Sequence, residues 1–83
     1  MGKKKSVIKC SYYHVAVHNN KVVFLGSDFH TVMERANKEV VDHMHTVYAS
    51  SYREAAYIAA ESFYLQISED VQEVIKLLRG YKK

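Results

Sequence analysis

Apolar, β-branched and aromatic residues crowd the first third of the chain, and beyond it apolar residues recur at spacings of three and four. Ser6–His18 is rich in Val, Ile and Tyr, the composition of a strand. Asn19-Asn20 follows and predicts a two-residue turn, because Asn tolerates positive φ. Val22-Val23-Phe24-Leu25 reads as a second strand ended by Gly26. The turn implies a register of His18 with Lys21, Val17 with Val22, Ala16 with Val23 and Val15 with Phe24. One face then carries Tyr13, Val15, Val17, Val22 and Phe24, and is expected to meet helices. The other carries Tyr12, His14, Ala16, His18, Lys21, Val23 and Leu25. Strand one outruns strand two, so Ser6–Ser11 is left with no partner in the chain. A two-stranded sheet is marginal alone, and an open apolar edge invites pairing. A homodimer joined at the hairpin edge, or swapping Ser6–Ser11, is the expected resolution.

Three helices are predicted after the hairpin. Ser27-Asp28 caps the first, and Phe29, Val32, Met33, Ala36, Val40 and Met44 form a stripe that carries it to about His45. Val47, Tyr48 and Ser50 mark a break. Ser51-Tyr52-Arg53-Glu54 is a capping box opening a helix to about Gln66. Its Ala55, Ala56, Ala59, Ala60 and Phe63 make a small-residue seam, read equally as core or as a dimer centre. Ser68 caps a third helix with a buried stripe of Val71, Val74, Ile75 and Leu78, and Gly80 is its predicted stop. The expected fold is α+β, an N-terminal β-hairpin followed by three helices (ββααα). Residues 1–5 form a flexible basic arm and residues 6–83 one domain.

Composition narrows the class. Eighty-three residues bury roughly 60–65% of the surface of the unfolded chain, so the core is modest. A hydrophobic fraction of 48% argues against wholesale disorder. The lone cysteine, Cys10, forms neither an intramolecular disulfide nor a zinc site, which suits a reducing, cytoplasmic setting. No signal peptide is evident, and no stretch approaches the roughly 20 apolar residues of a membrane span. A soluble protein without cofactor or membrane partner is expected.

Charge changes the picture most. Lys3, Lys4, Lys5 and Lys9 begin the chain, and Lys76, Arg79, Lys82 and Lys83 end it. Only four basic residues lie between them, with all nine acidic ones, a net of −5. Two basic ends therefore flank an acidic body. Lysines neutralise phosphates, and tyrosines beside them offer stacking surfaces for unpaired bases. RNA is the expected partner, met by Lys3, Lys4, Lys5, Lys9, Arg79, Lys82 and Lys83 at phosphates, with Tyr12 and Tyr81 stacking. No helix has the character of a duplex-reading element. Basic ends also serve simply to solubilise small proteins, and Lys or Arg in a last turn complements the helix dipole.

Two other classes compete. A protein-binding inhibitor or antitoxin-like module would use the acidic middle against a basic target. A small enzyme such as a nuclease would need converging acid–base groups, for which His14, His18 and Lys21 are the candidates on the mixed hairpin face. His14 and His18 lie about 13 Å apart on a strand and cannot share a metal. His43 and His45, placed on a helix, would point apart. A non-enzymatic protein is expected.

The run Val22–Phe29, continuing through His30–Val40, resembles the strand–Gly–cap–helix step of HicB-type antitoxins. The resemblance implies a partial RNase H-like ββα unit and a role in silencing an RNA-cleaving toxin; small size without familiar motifs separately suits a phage or mobile-element accessory protein. His30 or Thr31 stands where such antitoxins often carry an early acidic residue.

Overall fold

The computed structural model describes residues 9–82, the side chains of residues 79–82 excepted. A hairpin opens the fold, β1 (Ser11–His18) and β2 (Lys21–Gly26). Asn19 and Asn20 both adopt positive φ, 53° and 64°, as the turn requires. The order then departs from ββααα. α1 (Phe29–Lys38) is followed by β3 (His43–Ala49), α2 (Tyr52–Phe63), a two-residue β4 (Gln66–Ile67) and α3 (Glu69–Lys82). The four strands form one sheet in the order β3-β1-β2-β4, with β1 antiparallel to both neighbours and β2 parallel to β4.

β3 is the main correction. The stripe expected to carry the first helix to Met44 stops at Lys38, where Glu39 turns extended and its N–H closes the last turn on Arg35 O. Beyond it, Val40 and Val41 are β-branched, and Thr46-Val47-Tyr48 supplies further β-branched and aromatic residues. β3 pairs with β1 from Ser11–Ala49 to Val17–His43. The free edge expected on strand one is therefore occupied, and β1 lies inside the sheet. Ser6–Val7–Ile8 lie outside the described residues, so the segment expected to pair or swap between copies is described only at its end, where Ser11 pairs with Ala49.

A bulge corrects the hairpin register. His18–Lys21 and Val17–Val22 pair as the turn dictates, but Ala16 then meets Phe24 and Val15 meets Leu25. Val23 is the extra residue, and it moves Phe24 to the opposite face from Val22. Val22 and Leu25, three apart, now share one core with Val15, Val17, Val47, Ala55, Ala56, Ala59, Val71 and Ile75. Phe24 joins Ala16 and Val32 in a second core, flanked by Val23, Ala36, Val41 and Met44. Both faces of the sheet thus carry helices, α2 and α3 on one and α1 on the other.

The caps follow the residues that predict them. Ser51 Oγ accepts from Glu54 N at 3.1 Å, and Glu54 Oε1 accepts from Ser50 N and Oγ, each at 2.6 Å. Those contacts hold the Glu54 carboxyl below its usual range, the Ser50 hydroxyl contributing most. Ser68 Oγ accepts from Val71 N at 3.4 Å. α2 ends three residues before the predicted Gln66 because Tyr64 takes the left-handed cap (φ 57°, ψ 48°) usually given to Gly or Asn. The alanine seam is core, since Ala55, Ala56 and Ala59 are fully buried against the sheet. Two expectations for α3 fail. The helix continues past Gly80, and only Val71 and Ile75 of its stripe are buried, Val74 and Leu78 remaining exposed. No described helix is long and apolar enough to cross a membrane.

Candidate nucleic-acid interface

α1 covers only part of its sheet face. It packs over Ala16 and Phe24, while the Tyr12 end of β1 and the Tyr48 end of β3 stay open. Alternation on β3 puts Met44, Thr46 and Tyr48 on the face of Ala16, His14 and Tyr12, their register partners. Tyr12 and Tyr48 are 63% and 58% exposed, with ring centroids 4.8 Å apart and planes tilted by 50°. Two register pairs along, on the same face, His14 Nδ1 lies 3.3 Å from Thr46 Oγ1. Phe29, the first residue of α1, sets its ring edge-on to His14 at 5.0 Å and is 56% exposed. Three rings and a hydroxyl on two paired strands, with the Phe29 ring at the start of α1, thus form one surface.

The rim of this surface carries a restrained negative charge. Asp28 caps α1 beside Phe29 and accepts from Thr31 Oγ1 at 2.6 Å and from His30 N at 3.2 Å. The Thr31 hydroxyl, then the helix amides, hold its carboxyl below the usual range. Its charge is directed into the helix start, where it complements the dipole. Lys9 is exposed and lies three residues before Tyr12.

The predicted contact residues fall unevenly on this geometry. Tyr12 is part of the surface, and Lys9 is exposed three residues before it in the sequence. Lys3, Lys4, Lys5 and Lys83 lie outside the described residues. Arg79, Tyr81 and Lys82 lie in the last turn of α3, with side chains outside the description. Tyr48, Phe29 and Thr46 are not among the predicted contact residues, because the sequence predicts a helix to about His45, a break from Val47 and Phe29 in the helical stripe. The β-branched and aromatic run Thr46-Val47-Tyr48 is the signal that points to a strand there.

The remaining histidines are dispersed. His43 and His45 were expected to diverge on a helix. Instead they share the α2 face of β3, stacked at 6.2 Å, and His45 lies flat on Phe63 of α2 at 3.8 Å. His18 pairs in register with Lys21 at the hairpin tip, and His14 is four residues away on the aromatic surface. His18 Nδ1 approaches Asp42 Oδ1 at 3.3 Å, in a geometry too poor for a good hydrogen bond. Among the described residues, no group of three His, Cys, Asp or Glu is placed to hold a metal.

Asp42 ties β3 to the turn. Asn19 N donates to its Oδ2 at 2.9 Å, and its own N–H donates to Val17 O at 2.7 Å. The Asn19 amide, then His18, hold the Asp42 carboxyl below the usual carboxylate range. The folded state therefore favours the charged form. The resulting stability is present above the ordinary carboxylate pKa and is lost as pH falls through the lowered one. Asp42→Asn is expected to shallow the acid limb of a plot of urea midpoint against pH, below about pH 4. Asp28 and Glu54, also lowered, keep the limb from vanishing. An unchanged limb would show that this contact does not couple folding to protonation.

Comparison with protein-family models, curated proteins and solved structures returned no match. The ββα order implied by the antitoxin resemblance is present in β1, β2 and α1, but no matched family supports it.

Proposed function

We propose that this chain is a non-enzymatic RNA-binding protein that stacks unpaired bases on the open end of its sheet. The observation that carries the reading is the exposed Tyr12–Tyr48 pair, continued by His14 and Phe29. Exposed aromatics on adjacent strands give a sequence-tolerant platform, because every base has a π-face. Lys9, three residues before Tyr12 in the sequence, and Lys3, Lys4 and Lys5 are the residues assigned to phosphate contacts in this reading. His14 and Thr46, whose Nδ1 and Oγ1 lie 3.3 Å apart on the same face, add polar groups to the platform. Unpaired strands are favoured over duplex, because the stacking surface needs open base faces.

Salt dependence tests the electrostatic half. Affinity for a labelled uridine-rich single strand is expected to fall linearly in log K against log salt, by about 0.7 per neutralised phosphate. Replacing Lys3, Lys4 and Lys5 together by Ala is expected to reduce that slope by about 2 and weaken binding across sequences alike. Full affinity after that change would remove the basic segment from the account. Salt-insensitive capture of one protein, with no RNA binding, would instead support an inhibitor module using the same aromatic surface.

A further inference from the structure

The outer side of β3 has no strand neighbour among the described residues, because β3 ends the sheet order. At seven residues it is long for an edge strand. Natural edges are protected by charge, proline, bulges or shortness. The run His-Met-His-Thr-Val-Tyr-Ala contains no Lys, Arg, Asp, Glu or Pro, and its pairing with β1 runs from Ser11–Ala49 to Val17–His43 without a register shift. The opposite edge of the sheet differs, since β4 covers β2 at Lys21 and Val22.

We propose that β3 is a self-association surface, on which a second copy of this chain pairs its own β3 antiparallel about a two-fold axis at Thr46. The occupant follows from the edge itself. An antiparallel strand pair is self-complementary, so one edge presented twice satisfies both copies and closes the assembly. Centring on Thr46 pairs all seven residues. His43 then faces Ala49 of the other copy, His45 faces Val47 and Met44 faces Tyr48. No titratable residue meets its like, the Thr46 hydroxyls meet at the axis, and the thioether meets an aromatic ring. The product is a continuous sheet of eight strands. Tyr48 of each copy lies on the aromatic face, so the two platforms become parts of one surface. The pairing does not depend on RNA binding.

Mass and cross-linking test it together. Sedimentation equilibrium of the full chain at high micromolar concentration is expected to give twice 9.6 kDa. Cys10 is exposed and is first changed to Ser, to leave no native thiol. In that background Thr46→Cys is expected to form an intermolecular disulfide on mild oxidation, because directly opposed Cβ atoms lie about 4.5–5.5 Å apart, close to disulfide range. Glu61→Cys, on the exposed side of α2, is expected not to. Thr46→Lys, at an exposed position, is expected to give a monomer with an unchanged circular dichroism spectrum, since two lysines meet at the axis. A mass of 9.6 kDa for the native chain would overturn the proposal. So would a dimer that survives Thr46→Lys, or one that cross-links equally from Glu61→Cys.

Discussion

Phe24→Ala is expected to destabilise the fold by about 3–5 kcal/mol, the usual cost of emptying a buried phenylalanine site. A chain of this length has a total of about 4–12 kcal/mol to lose, so the variant should stand near the edge of folding. Phe24 is 4% exposed and joins Ala16 and Val32 in the smaller core. That core has few other large side chains to collapse into the space. The Arg35 guanidinium also lies over the Phe24 ring at 4.4 Å while its Nε contacts Glu39 Oε2 at 2.7 Å, so the last turn of α1 loses a support. Urea titration gives the total loss. Amide exchange should place the earliest loss of protection in α1, ahead of α2. Uniform loss across both helices would mean that the two cores do not divide as the bulge at Val23 divides them.

Tyr12→Ala with Tyr48→Ala is expected to have the largest effect on binding. Base–aromatic stacking is worth about 1–3 kcal/mol per base, or about 5- to 150-fold in affinity for each ring removed. Both side chains are more than half exposed, so their loss should leave the urea midpoint close to that of the native chain. The double variant should keep the salt slope, because the lysines are untouched, while losing affinity at every salt concentration. Fluorescence anisotropy over a salt series separates these effects. Unchanged affinity and an unchanged slope would mean that the lysines act without the platform.

Parts of this architecture were legible because local chemistry and tertiary packing agree there. Asn19-Asn20 demanded positive φ, Ser51 and Ser68 announced helix starts, and Ala55, Ala56 and Ala59 marked a close approach. β3 was not legible by the same route. Met44 falls eight residues after Ala36 and four after Val40, spacings that continue a helical stripe as well as they begin an alternating one. What decides it is the open side of β1, a tertiary need that helix periodicity does not register. The bulge is a similar case. Nothing local distinguishes Val23 from its neighbours, and only two helix-covered faces make Phe24 and Leu25 both buried. Gly80 was a plausible stop, yet the helix runs through it. Of the candidate site, Tyr12 was readable from its lysine neighbours. Its partner Tyr48 was hidden by the misread strand, and Phe29 by the assumption that a first-turn phenylalanine is core.

Nuclear magnetic resonance is the most direct test of the sheet as an RNA platform. A short uridine-rich single strand, added stepwise to isotopically labelled protein, should shift the resonances of Tyr12, His14, Phe29, Thr46 and Tyr48 first and furthest. Those of Val71 and Ile75, buried on the other face, should stay in place. Shifts confined to α3, or none at saturating strand, would contradict the account.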